Sequence, residues 1–223
     1  MQALVRRFLW LALFAVAMAL LEAAVVVYIR RLLEITAGHV SLGSALPIEL
    51  AREAATLVML VTVGALAGRN PPERAACALF AFGLWDIGYY VWLRLLIGWP
   101  RTLLDWDILF LIPLTWWGPV LAPLLVALLL CAAALLAAVR LEQGRGLGFA
   151  PLHIAALALG GGLALYGFMA DSLHALARGQ PDWATLRPGP FRWPLFIAAL
   201  ALLALGALGA HWLGSWRRLA ARE

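Results

Sequence analysis

Apolar residues dominate the chain in long runs, and short polar or proline-containing segments separate these runs. A helix that crosses a hydrocarbon core of about 30 Å needs about 20 apolar residues. We therefore predict an all-α fold, a polytopic integral membrane helical bundle with about six transmembrane helices in a single transmembrane domain of residues 1–223. The predicted spans are residues 8–29, 50–67, 75–98, 120–139, 151–170 and 194–213.

The apolar stretch of residues 108–139 is too long for one span at a rise of about 1.5 Å per residue. The sequence Trp116-Trp117-Gly118-Pro119 interrupts it, because glycine and proline break regular structure. We predict that residues 108–117 form an interfacial segment before the fourth transmembrane helix. The pattern leaves open whether this segment is re-entrant, interfacial or spanning.

The composition excludes several classes of protein. Of the 223 residues, 65% are hydrophobic and only 13% are charged, which is far from the balance of a soluble domain. The formal charge of +5 is spread over the ends and short loops, so no basic face for nucleic acid is predicted. Cys77 and Cys131 lie inside apolar runs, which argues against a disulfide framework. The predicted partners are the lipid bilayer and either another membrane protein or a second copy of this chain.

The arginine distribution predicts an orientation in the cell membrane. With the N-terminus inside, nine arginines lie on the cytoplasmic side and seven on the other. Basic residues favour the cytoplasmic side, so we predict a multi-pass protein with both termini in the cytoplasm.

The acidic residues are distributed unevenly across the predicted membrane. Nine of the twelve lie between mid-depth and the outer face, and Glu22 and Asp86 lie within apolar spans. An ionised carboxylate at the centre of a span costs about 2.5–3.5 kcal/mol or more unless a partner or water stabilises it. Asp86 is nearly equidistant from both ends of the third span, so it is the acid for which this cost is largest.

Helical spacing groups the polar residues of the second and third spans into stripes. Asp86, Tyr90 and Arg94 recur at i, i+4 and i+8 on the third span, and we expect this stripe to face the bundle interior. The second span begins with a polar edge at i, i+3, i+4 and i+7, formed by Glu49, Arg52, Glu53 and Thr56.

These patterns predict a polar pocket that opens to the extracytoplasmic side and is covered by the segment of residues 101–117. It would bind or transport a cation or a small polar substrate. Carboxylate oxygens suit divalent cations, so a divalent cation is the cofactor that the pattern allows. We expect Glu22, Glu53 and Asp86 to converge and to bind a cation, hold protons or recruit Arg52 and Arg94. The predicted site residues are Glu22, Glu53, Asp86, Tyr90, Arg94, Asp105 and Asp107.

Two other interpretations fit the same residues. Asp86 and Arg94 are also suited to a structural ion pair, in a non-catalytic subunit of a larger membrane complex. A membrane-embedded, metal-dependent enzyme is the third possibility, although the sequence has no His-Glu-x-x-His, Cys-x-x-Cys or Gly-x-Ser-x-Gly motif. The sequence leaves open which of the three applies.

Overall fold

A computed structural model of the chain describes residues 1–32, 46–179 and 189–219, with side chains described as far as residue 209. Within these ranges the chain forms six helices and one short β-hairpin. The elements are α1 (Gln2–Leu32), α2 (Leu46–Ala67), α3 (Pro71–Ile97), β1 (Trp106–Phe110), β2 (Trp116–Pro119), α4 (Leu121–Glu142), α5 (Pro151–Ala177) and α6 (Trp193–Leu219).

The predicted all-α class is confirmed, and each predicted span falls on one helix. Among the described residues, five helices, α1 to α5, are long and apolar enough to cross a membrane. The corresponding apolar stretch of α6, Trp193–Gly209, is shorter. The fold therefore agrees with an apolar, lipid environment for at least five helices.

Helix α3 begins four residues earlier than the sequence pattern predicts. Pro71 and Pro72 form the first turn of α3. Proline is tolerated there because the first N–H groups of a helix have no intrahelical acceptor. The side chain of Asn70 caps this turn by accepting a hydrogen bond from the Glu73 N–H at 3.0 Å. At the other end, Gly98 adopts the left-handed conformation that ends the helix, with φ of 70°.

Helix α3 is the centre of the bundle and packs against α1, α2 and α4. Small residues allow these close contacts. A methyl group at Gly83 would lie 2.6 Å from the carbonyl oxygen of Ala127 on α4, and one at Gly88 would lie 2.9 Å from Cβ of Ala19 on α1. The core around these contacts includes Phe80 and Trp85, both at least nine-tenths buried.

Helices α1 and α2, by contrast, scarcely touch each other, although both pack on α3. Helices α5 and α6 pack mainly on each other and meet the rest of the chain through β2 and α4. Ser172 of α5 is fully buried and donates a hydrogen bond to the carbonyl oxygen of Thr115 in the hairpin at 2.6 Å. Because α1 and α2 do not pack closely on each other, the space between them is left for side chains and for the hairpin.

A buried glutamate ties the helices together at the end where α1 and α3 begin. Glu73 accepts hydrogen bonds from Nη1 of Arg7 at 2.7 Å and from the backbone N–H of Arg69 at 3.1 Å. Met1 and Arg69 lie within 4 Å of the Glu142 carboxylate at the same end. These pairs fix the helix ends on the side of the bundle opposite the hairpin.

The segment before α4, where an interfacial segment was predicted, folds as an antiparallel hairpin. Trp106 of β1 pairs with Pro119, and Ile108 pairs with Trp117. Non-helical backbone near a membrane is tolerated where it is buried in protein or lines a cavity, because its polar groups can be satisfied there. The position of this hairpin relative to a membrane interface stays a prediction.

Adjacent glycines in α5 allow a direct test of helix packing. A methyl group at Gly160 would lie 2.9 Å from the carbonyl oxygen of Ala199 on α6, whereas one at Gly161 meets no atom within 4 Å. We predict that Gly160→Ala lowers the free energy of unfolding by about 1–3 kcal/mol, because the two backbones must separate. Gly161→Ala should leave it unchanged or raise it by up to about 1 kcal/mol, since alanine favours helix.

Reversible unfolding in mixed micelles measures both variants against the wild type. Equal effects of the two substitutions would contradict the close contact between α5 and α6.

Candidate functional site: an acidic cavity at the hairpin end of the bundle

A cavity of about 720 Å³ lies where α1 and α3 end and α2 begins, and the hairpin forms one of its walls. It occupies the gap that the separation of α1 from α2 leaves. Among the described residues, six acidic and three basic side chains line it, which gives a formal charge of −3 when all are ionised. The acids are Glu22, Glu49, Glu53, Asp86, Asp105 and Asp107, and the bases are Arg30, Arg52 and Arg101.

Arg52 of α2 joins two of these acids across the gap between α1 and α2. Its Nε donates to Glu49 at 2.9 Å, and its Nη1 donates to Glu22 of α1. Thr56 donates its hydroxyl to the other oxygen of Glu22 at 2.7 Å. Glu22 and Glu49 are each 7% exposed. One guanidinium group is therefore shared between two buried carboxylates, and one negative charge remains in excess when both are ionised.

Glu53 is held by the hairpin rather than by an arginine side chain. Both of its carboxylate oxygens accept from the backbone N–H of Leu111, at 2.9 and 3.1 Å. Among the described residues this N–H is its hydrogen-bond donor, and Glu53 is 7% exposed. The contact satisfies a backbone group that the end of β1 would otherwise leave unpaired, but it brings no positive charge.

Arg30, near the end of α1, supplies the positive charge for the hairpin acid Asp107. Its Nη2 donates to Oδ1 of Asp107 at 3.3 Å, and its guanidinium lies 4.1 Å from the centre of the Trp99 ring. Tyr90 donates its hydroxyl to the other oxygen of Asp107 at 3.3 Å. Burial raises the pKa of Asp107 to about 6, although Arg30 and Tyr90 favour the ionised form.

Asp86 lines the same cavity from the middle of α3 and differs from the other acids in having no donor among the described residues. Its side chain is half-buried, and within the described ranges no N–H or O–H group donates to it. The expectation that Glu22, Glu53 and Asp86 face one pocket agrees with their common position on the cavity wall. Asp86 is the carboxylate there whose charge the described protein groups leave unsatisfied.

Asp107 lies within β1, whereas Asp105 lies in the turn just before this strand, and the two side chains have different surroundings. Asp105 lies at the rim and accepts from the Arg101 N–H and the Thr102 hydroxyl, both at 2.7 Å. Hydrogen bonds from Thr102 and Arg101 lower the pKa of Asp105 below its ordinary value. Asp105 thus stabilises the turn before β1.

The expectation that Arg94 lies in the pocket is wrong. Arg94 is exposed and donates to the carbonyl oxygens of Gly98 at 2.6 Å and Pro100 at 2.9 Å. Eight residues along a helix correspond to a rotation of about 80° from the starting position, so Arg94 does not share a face with Asp86. The carbonyl groups at the end of α3 also lack intrahelical donors, and Arg94 satisfies two acceptors there. The predicted Asp86–Arg94 ion pair is therefore absent from the described structure.

Several cavity residues were not among the predicted site residues. Arg30 was not recognised from the sequence as a site residue, yet it is the partner of Asp107. Glu49, Arg52 and Thr56 were recognised as a polar edge of α2, and their spacing was the signal that could have placed them in the site. The aromatic residues Tyr89 and Trp99 gave no such signal, because tryptophan and tyrosine are common at membrane interfaces.

No group of three or more His, Cys, Asp and Glu side chains that could hold a metal ion occurs in the part of the chain that the structure describes. His153 is accounted for structurally, since its Nδ1 accepts the Ala150 N–H at 3.1 Å at the start of α5. Comparisons with protein families, with characterised proteins and with solved structures find no match. The site is therefore interpreted from its own chemistry.

The pKa of Asp107 is raised and that of Asp105 is lowered, so their contributions to the free energy of unfolding should change in opposite directions with pH. The pKa of Asp107 is raised, so its contribution is full below pH about 4 and is lost as the pH rises through about 6. The pKa of Asp105 is lowered, so its contribution is present above pH about 4 and is lost only as the pH falls further.

We predict that the unfolding free energy of Asp107→Asn, relative to wild type, increases between pH 4 and pH 7 by at most about 3 kcal/mol. Asp105→Asn, the matched control, should show a nearly constant difference over that range. Unfolding in detergent micelles at a series of pH values measures both. A constant difference for Asp107→Asn would contradict the burial of this carboxylate.

Proposed function

We propose that the protein binds a cation in this cavity, within the membrane, and that binding serves transport or ion coupling. The observation that carries the proposal is the excess of carboxylates over arginines on the cavity wall, with Asp86 as the acid that has no donor among the described residues.

The charge balance supports this proposal residue by residue. Arg30 compensates Asp107, and Arg52 is shared between Glu22 and Glu49. Glu53 has a backbone donor without charge, and Asp86 has no donor in the described ranges. Counted over the described residues, the inner part of the cavity is therefore short of about three positive charges when every carboxylate is ionised. Buried charges without partners are costly, so protons or a bound cation must make up part of the difference.

The energetic cost of an uncompensated carboxylate depends on how deep in the membrane the cavity lies. Glu22, Glu53 and Asp86 all lie on helices long and apolar enough to cross a membrane. Water is scarce at that depth, and ionisable residues there usually face a partner or a water-filled cavity that belongs to a transport or proton pathway. A carboxylate-lined cavity in this setting favours cations over anions.

The proposal also includes a membrane topology, which the helices alone do not determine. We propose that α6 is a sixth span, that both termini are cytoplasmic, and that the cavity opens to the extracytoplasmic side. The arginine distribution supports this orientation. It places Arg101 and the hairpin outside, where a cation would enter, and Glu73 with its partners inside.

Binding or transport is favoured over catalysis for a chemical reason. A hydrolytic enzyme needs a nucleophile, or a metal with an open position, beside its acid and base. Among the described cavity residues the hydroxyl groups are those of Thr56, Tyr89 and Tyr90, and Thr56 already donates to Glu22. No histidine or lysine lies among the described cavity residues to act as a base for these hydroxyl groups, which favours binding or transport.

The test is a survey of cations on the protein purified in maltoside detergent at low ionic strength. The chlorides of Na⁺, K⁺, Mg²⁺, Ca²⁺, Mn²⁺ and choline are added singly, and the melting temperature is followed. A cation that binds the folded state at 100 times its Kd should stabilise it by about 2.7 kcal/mol. We predict that at least one of them does so.

Asp86→Asn and Glu53→Gln should each remove most of this stabilisation, because each removes one uncompensated charge. The control is Glu142→Gln, whose carboxylate lies at the opposite end of the bundle and should keep the full response. If no cation raises the melting temperature, or if all three variants respond like the wild type, the proposal is wrong. The non-catalytic subunit interpretation would then take its place.

A further inference from the structure

The cavity is built from aromatic rings as much as from carboxylates. Six of its aromatic wall residues come from α3, the turn that follows it, and the hairpin. A tryptophan or tyrosine ring attracts a cation placed over its face, within about 6 Å of the ring centre. The rings that matter here are those of Trp85, Tyr89, Tyr90, Trp99, Trp106 and Trp117.

Arg30 shows that the cavity already holds one organic cation in this way. Its guanidinium lies 4.1 Å from the centre of the Trp99 ring while it donates to Asp107. A planar organic cation is thus held by an aromatic face on one side and a carboxylate on the other. The same two kinds of group, a carboxylate and neighbouring rings, line the cavity at Asp86, to which no arginine of the described residues donates.

Asp86 and its aromatic neighbours form this second arrangement on α3. Tyr89 and Tyr90 follow Asp86 by three and four residues, so they lie one helical turn away on the same side. All three line the cavity, together with the apolar side chains of Val26, Ile29 and Leu109. A carboxylate, two rings and an apolar wall are complementary to a charged head group with an apolar body.

The dimensions of the cavity suit an organic ligand better than a bare metal ion. A volume of about 720 Å³ corresponds to roughly 24 water molecules at about 30 Å³ each. Binding a divalent ion tightly needs several oxygen ligands at 2.0–2.6 Å, and in the described ranges no three acidic or histidine side chains come together to provide them. The volume lies instead in the range of about 300–1,000 Å³ that is typical of small organic ligands.

We propose that the occupant is an organic ammonium ion, an amine or quaternary ammonium group attached to an apolar body, with its charged head at Asp86. This inference rests on the proposed cation-binding function and specifies its ligand class. A free amine and an amine-containing lipid head group present the same chemistry to the site.

Calorimetric titration with choline tests the ligand class. The protein is held in dodecyl maltoside, which has no ammonium group, and the comparison ligands are 3,3-dimethyl-1-butanol, the neutral isostere of choline, and calcium and manganese chloride. We expect choline to bind at least about tenfold more tightly than the isostere, because only choline carries a positive charge. We also expect it to bind at least about tenfold more tightly than either metal, because a ring attracts the ammonium group while the described side chains provide no group of three metal ligands.

Two kinds of variant locate the binding. Asp86→Asn should weaken choline binding at least about tenfold without changing the affinity for the isostere. Tyr89→Leu and Trp106→Leu should each weaken choline by about 2- to 30-fold, the range of a lost cation–π contact. Trp106 lies partly exposed at the cavity and provides the test if Tyr89→Leu does not fold. Trp10→Leu, an exposed tryptophan at the opposite end of α1, is the matched control and should bind choline like the wild type.

A second titration, in lipid nanodiscs, distinguishes a free amine from a lipid head group as the source of the ammonium group. In nanodiscs of phosphatidylglycerol, added phosphatidylcholine should weaken choline binding if the head group of a lipid enters the cavity. Unchanged choline binding identifies a free amine instead, and both results agree with the ammonium class.

Any of four results would overturn the inference. Equal binding of choline and its isostere would show that the charge is not recognised, and an unchanged affinity in Asp86→Asn would place the ligand elsewhere. If calcium or manganese binds and choline does not, the ligand class is wrong while the cation-binding function stands. If neither metals nor choline bind, both proposals fail together.

Discussion

A carboxylate inside an apolar bundle requires a compensating group, and this requirement organises the hairpin end of the protein. Arg52 reaches from α2 to Glu22 on α1, Arg30 reaches from α1 to Asp107, and the backbone N–H of Leu111 reaches Glu53. Each contact joins two different elements. Because α1 and α2 scarcely pack on each other directly, these polar contacts connect the two helices at this end, and the cavity is the space that they surround.

The rest of the fold makes this arrangement possible. Helix α3 packs closely on α1, α2 and α4 through small residues such as Gly83 and Gly88, so it provides a rigid support on which Asp86 and Tyr90 are fixed. At the opposite end, Glu73 with Arg7 and Arg69 holds the helices together. The hairpin completes the wall, since it contributes Asp107 from its buried face and is itself attached to α5 through Ser172 and Thr115.

The long apolar runs predicted the helices, because an apolar run of spanning length has few other stable structures in lipid. The polar edge of α2 was also readable, since Glu49, Arg52, Glu53 and Thr56 recur at helical spacing. The hydrogen-bond or ion-pair partner of each acid could not be predicted from the spacing of residues in the sequence. An arginine side chain is long, and its partner is chosen by tertiary packing, so Arg30 pairs with Asp107 across 77 positions while Arg94 stays at its own helix end. The hairpin escaped prediction as a strand pair because residues 108–117 are apolar without a period.

The central claim is that a cation balances the unpaired carboxylate inside the bundle, and anomalous diffraction tests it most directly. Crystals of the protein would be soaked with arsenocholine, the arsenic analogue of choline, and separately with rubidium chloride, so that organic and inorganic cations are both represented. The account predicts an anomalous peak inside the cavity beside Asp86 for at least one of them, and its loss in Asp86→Asn. An empty cavity in both soaks, or a peak that persists unchanged in Asp86→Asn, would contradict it.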